Sequence, residues 1–120
     1  SNPSNNVSVT GRLVYGDIEI LLTGDIEKKV ESYLINQDWN LESDILKLAH
    51  HGSKTSTGDN FLKIINPAAA IISVGADNRY NHPNQEVLER IKDILTYRTD
   101  QNGDIKILTD GILFDIWIEE

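Results

Sequence analysis

Leu46-Lys47-Leu48-Ala49-His50-His51-Gly52-Ser53-Lys54-Thr55-Ser56 runs from an apolar strand straight into a polar loop. Asp44 to Ala49 reads as the strand, and the loop after it holds two adjacent histidines, a glycine, hydroxyls and a lysine. The flanking stretches repeat this arrangement. Upstream, Ile18 to Leu22 is an apolar run ended by Thr23-Gly24-Asp25. Downstream, Ala68 to Val74 gives way to the polar stretch Gly75 to Asn84, which holds Asn78-Arg79-Tyr80-Asn81-His82-Pro83. Strands that end in polar loops and alternate with helical patterns predict an α/β layered domain. In open α/β sheets, ligands gather at the carboxyl ends of the strands. All three histidines of the chain fall in these loops.

Further out, Val7 to Tyr15 alternates as a strand, with a break at Gly11, and Gly16-Asp17 turns it back into Ile18 to Leu22. The run Ile20-Leu21-Leu22 predicts burial on both faces. Ile26, Val30, Tyr33 and Leu34 form one helical stripe. A second helix is predicted from Gly58 to Ile65, stopping before Pro67. A third, Gln85 to Leu95, turns Val87, Leu88, Ile91 and Leu95 inward. Short strands follow at Tyr97 to Thr99, Ile105 to Leu108 and Ile112 to Ile118, with turns at Asn102-Gly103 and Asp110-Gly111. The expected order is β-β-α-β-α-β-α-β-β-β. Residues 1–6 are polar and rich in breakers and read as a loop leading into a domain over 7–120.

The charge balance is 11 basic against 19 acidic residues, a net −8. Such a surface repels phosphate backbones unless a metal or a local basic patch intervenes. With no cysteine, any metal would be held by His, Asp or Glu, a donor set that suits Zn, Mn or Fe. No stretch approaches 18 apolar residues, so none is expected to span a membrane. At 39% hydrophobic residues, the chain reads as a thin structure or a piece of something larger.

Each loop residue admits two readings. Asp25 suits a helix N-cap, accepting from an orphan N–H, and equally a carboxylate metal ligand. His50 and His51 are adjacent at a strand end and point different ways, so one faces a given metal while the other packs or hydrogen-bonds. The pair is also compatible with plain polar surface. Gly52 to Ser56 offers hydroxyls, a cation and backbone N–H groups to an anionic oxygen, without the glycine and lysine spacing of a P-loop. Arg79, Tyr80 and His82 together suit a phosphate, or form an ordinary turn before the helix at Gln85.

Taken together, Leu21-Leu22-Thr23-Gly24-Asp25-Ile26-Glu27, Leu46 to Ser56, Ile71-Ile72-Ser73-Val74-Gly75, Asn78 to Pro83 and Tyr97-Arg98-Thr99-Asp100 resemble the C-terminal metallo-β-lactamase-like domain of ComEC-type competence proteins. The resemblance runs in register from about Asn5 to Trp117. It implies an αββα sandwich, of which this chain would be the second half. The family's early His-x-His-x-Asp-His loop does not occur here. Position 81 is Asn where the family's Gly-His-Pro motif has Gly.

What the resemblance implies for function is a metal-dependent nuclease or phosphodiesterase domain serving DNA uptake. Asp25 would bridge divalent metals (Zn or Mn), His51, or else His50, would ligate one of them, and His82 with Arg79 or Lys54 would steady the phosphate. The expected partners are the N-terminal half of the same domain, DNA as substrate and the membrane channel of the parent protein. The implied location is a soluble domain of a bacterial membrane protein. With so few ligands, the fragment alone would bind metal weakly and be inactive. Half a sandwich would also expose apolar strand surface, at Ile20, Leu22, Ile71 and Val74, and so favour dimerisation. Two other readings are a non-catalytic accessory domain and a same-fold hydrolase of another ester.

Overall fold

The computed structural model describes residues 7–119; residues 1–6, assigned above to an N-terminal loop, and residue 120 lie outside it. Seven strands and four α-helical segments follow in order: β1 (Gly11–Tyr15), β2 (Ile18–Leu22), α1 (Lys28–Ile35), β3 (Ile45–Lys47), α2 (Asp59–Ile65), β4 (Ala69–Ile72), α3 (Gln85–Arg90), β5 (Leu95–Arg98), α4 (Thr99–Asn102), β6 (Ile105–Thr109) and β7 (Phe114–Ile118). The expected order stands, with two extra helical turns, a 3-10 turn at Ala49–Gly52 and α4.

β1 to β5 form one sheet in chain order. β1 pairs antiparallel with β2, and β2 to β5 are parallel. β6 and β7 make a separate antiparallel hairpin. The register decides what lies on each face. Leu46 stands beside Leu21 and Ala70, and these residues with Ile72 pack against Leu34 of α1, Phe61, Leu62 and Ile65 of α2, and Val87 of α3. Ile45, Ala69 and Ile71 point the other way, onto Ile105, Ile107, Phe114 and Ile116 of the hairpin. Helices therefore cover one face and the β6–β7 hairpin the other, giving a slab of 39 × 38 × 24 Å.

Several sequence expectations are corrected by this arrangement. β1 starts at Gly11, because Val7 and Val9 have no strand beside them and stay exposed. The helix predicted to Leu95 ends at Arg90, and Leu95 opens β5, pairing with Ala69. Tyr33 leaves the α1 stripe and lies in solvent, edge-on to Trp39. Ile71 and Val74 are not an uncovered face: Ile71 is roofed by the hairpin, and Val74 belongs to the helix-side core. Leu22, at 44% exposure, is the one clearly open member of that group, so β2 is not buried on both faces along its length.

One carboxylate sits inside the helix layer. Glu31 of α1 is 2% exposed and accepts the backbone N–H groups of Thr57 and Gly58. Arg90 donates to the carbonyls of Ser56 and Thr57 beside it. Glu31 therefore fastens α1 to the loop leading into α2. Glu31→Ala strands two buried donors and is expected to cost about 2 kcal/mol. Burial pushes the Glu31 carboxyl above the usual 4.5, so the folded chain holds this proton more tightly than the unfolded chain. That contribution is full below 4.5 and is lost as the pH rises through the raised value. In urea unfolding, the stability gap between wild type and Glu31→Ala should thus widen on acidification.

Candidate functional site

The three polar loops meet at the carboxyl ends of β2, β3 and β4. Residues Ala49–Gly52 form a tight turn after β3, in which His50 (φ 53°) and His51 (φ 55°) are both left-handed. Two consecutive non-glycine residues in that region each cost about 1–2 kcal/mol, so the surroundings must hold them there. The His50 N–H donates to the Gly24 carbonyl at 2.9 Å, and the Thr23 hydroxyl donates to the Lys47 carbonyl at 2.6 Å. These bonds fix the loop of Asp25 against the histidine turn. On the other side, Asn84 N–H donates to the Gly52 carbonyl at 3.0 Å, and Asn84 Oδ1 accepts the Lys54 N–H at 2.7 Å.

The side chains form a column. Arg79 lies 5.0 Å from the centre of the Tyr80 ring and donates to its hydroxyl at 2.9 Å. Tyr80 stacks on His82, with centroids 5.8 Å apart, and His82 meets His50 edge-on at 5.5 Å. Burial, and then the neighbouring His50 and His51, hold the His82 pKa below its usual 6.5, which keeps this ring neutral near neutral pH. His51 Nδ1 lies 2.7 Å from the Ser73 carbonyl. A carbonyl only accepts, so Nδ1 carries a proton, and in the neutral ring Nε2 is then the nitrogen with the lone pair. His51, Asn78, Tyr80 and His82 line one cavity of about 230 Å³. His50 Nδ1 is buried without a hydrogen-bond partner.

Asp25 is half-buried in the β2–α1 loop. It is not the cap of α1; that position is Glu27. Lys47, a half-buried lysine at the end of β3, is not among the expected site residues. Burial lowers its pKa, and the charge of Asp25 partly offsets that. A single charged residue in an otherwise apolar strand was the available signal. Lys54 is less involved, since its ammonium reaches 4.0 Å from Glu86 in solvent, a pairing worth little. Among the described residues, no group of three or more His, Asp or Glu side chains is arranged to hold a metal ion.

Asn81 has φ 56°, and its loop is pinned by Asn78, which accepts the His82 N–H and donates to the His82 carbonyl. The turn therefore requires a left-handed residue, and Asn tolerates that conformation better than other side chains do. Asn81→Gly should be neutral or mildly stabilising in thermal unfolding. Asn81→Val should cost about 1–2 kcal/mol.

The chain is 45% identical over 104 residues to ComE operon protein 3 of Bacillus subtilis, a match that takes in 85% of the chain. It is 39% identical over 102 residues, 82% of the chain, to Competence protein ComA of Neisseria gonorrhoeae. Recombination protein 2 of Haemophilus influenzae is 41% identical over 76 residues, 63% of the chain. The similarity is to bacterial competence proteins. The matched regions make up only 13%, 15% and 9% of those three proteins, so the chain corresponds to a small segment of each. No protein-family model matches the chain. Among the described residues, no helix is long and apolar enough to cross a membrane.

Proposed function

We propose that this chain is the second half of a metallo-β-lactamase-type domain in a competence protein for DNA uptake, and that the complete domain is a metal-dependent nuclease or phosphodiesterase. The observation that carries the reading is the bond from His51 Nδ1 to the Ser73 carbonyl. Metal-ligating histidines typically donate their second nitrogen to a carbonyl in this way, which leaves Nε2 as the donor atom. The competence relatives support the DNA-uptake setting; the membrane channel of the parent protein is the neighbour this reading proposes.

In this reading the chain supplies only part of a metal site. Asp25 and His51 offer carboxylate and imidazole to Zn or Mn, and the buried, unpartnered His50 Nδ1 is a further candidate. A bound divalent ion would supply positive charge against a phosphoryl group and acidify water. The chain's own residues then have separate tasks. His82, kept neutral, can donate its ring N–H to a phosphate oxygen. Arg79 and Lys54 supply cations that answer the overall negative charge. The remaining ligands are assigned to the N-terminal half of the same domain. The alternative, a non-catalytic accessory domain, draws its support from the lack of a three-donor group among the described residues.

The test is metal titration with Mn and Zn, alongside DNA hydrolysis, on this chain and on a longer chain that includes the preceding segment of the parent. Weak binding and no cleavage are expected from the short chain, and tight binding with cleavage from the longer one. A longer chain that binds metal tightly and cuts no phosphodiester would overturn the nuclease reading.

A further inference from the structure

We infer that Thr99 is a positioning residue for His51, acting through the peptide group between Ser73 and Val74. The parallel β4–β5 ladder ends at the pair Ile72 and Arg98. Beyond it the chain turns into α4, and β5 offers Val74 no further backbone partner. The Thr99 hydroxyl takes that place: it accepts the Val74 N–H at 2.8 Å and donates to the Val74 carbonyl at 2.9 Å. A hydroxyl can do both at one atom, which an apolar side chain of the same shape cannot.

The Val74 N–H belongs to the same planar peptide unit as the Ser73 carbonyl. Holding one end of a rigid plane aims the other, and the other end receives His51 Nδ1 at 2.7 Å. The two bonds also polarise one another through the peptide. Thr99 is itself held from both sides. Arg98 forks onto Asp100 at 2.9 and 2.7 Å, and the Arg98 N–H donates to Asn102 Oδ1 at 2.9 Å. The segment Tyr97-Arg98-Thr99-Asp100, which has no direct role in the site, thereby sets the tautomer of a histidine two strands away. The use of His51 Nε2 as a metal donor rests on the reading above; its positioning by Thr99 does not.

The test is a long-range proton–nitrogen NMR correlation on the 15N-labelled chain at about pH 8, where histidine rings are neutral. His51 should carry its proton on Nδ1. Thr99→Val should lower the ratio of Nδ1–H to Nε2–H forms at His51 about threefold or more. The tautomer of His82 should not change, and Thr99→Ser should keep the wild-type ratio. A folded Thr99→Val chain with an unchanged ratio, or Thr99→Ser behaving like Thr99→Val, would overturn the inference. If Thr99→Val does not fold, Thr99→Ala carries the same comparison. A proton found on Nε2 in the wild type overturns the inference without any variant. Neither metal nor DNA enters this measurement, so its failure and the failure of the nuclease reading are separate results.

Discussion

Gly52→Ala is expected to destabilise the chain by about 3–4 kcal/mol, combining left-handed strain with overpacking. Gly52 has φ +83°, where an L side chain is strained. A Cβ there would also lie 2.6 Å from Pro83 Cβ and 3.0 Å from Pro83 Cα. Those atoms belong to a ring fixed to its own backbone, so the neighbour has little room to give. The clash falls at the junction between the histidine turn and the His82 loop, where Asn84 N–H reaches the Gly52 carbonyl. Relief would separate His50 from His82, and NMR contacts between the two rings should vanish along with the stability. Gly75→Ala is the control: its Cβ would meet nothing within 4 Å and no positive φ is involved. That change should stay within about 0.5 kcal/mol. Equal midpoints for the two variants in urea unfolding would show that the loops do not depend on this close approach.

In the longer chain, Asp25→Ala should lower DNA hydrolysis on the order of 100-fold or more, close to 2.7 kcal/mol of transition-state stabilisation. In the proposed metal site the Asp25 carboxylate would supply negative charge to a bound ion, and no uncharged side chain would replace it. Removing it also leaves half-buried Lys47 without the charge that offsets its burial. His51→Ala should behave similarly, because Ser73 presents that ring in a fixed orientation. His82→Ala should lower turnover more than metal affinity, since its proposed partner is the substrate phosphate. The measurement is turnover and metal titration on each variant. Activity left intact by Asp25→Ala would remove Asp25 from the site.

The sequence patterns were most informative where a turn bounded each end. β2 lies at Ile18–Leu22, as Gly16-Asp17 and Thr23-Gly24 require. They were least informative where the decisive partner is remote. The alternation from Val7 continues the pattern of β1, but a strand exists only beside another strand, and pairing starts at Gly11 and Leu22. Leu95 fits a helical stripe with Ile91, yet its backbone is taken by Ala69. The covering of Ile71 depends on where the β6–β7 hairpin folds back, and no local pattern encodes that. In the site, the three loops were legible because each follows an apolar run. The left-handed histidines and the Thr99 link were not, since both arise from contacts between segments far apart in the chain.

β4 has a consequence for which sequences this fold can accept. Ala69, Ala70, Ile71 and Ile72 are all buried, with helices on one side and the hairpin on the other. A strand with one wet face tolerates polar residues at every second position, as β6 does at Lys106. β4 has no such alternate set, and four consecutive positions exclude charge. Ala69 and Ala70 further restrict volume, because a larger side chain on either face would push a whole layer outward. Variation accumulating in this protein should therefore fall along the rims of the slab, while β4 stays confined to a few small and branched apolar residues.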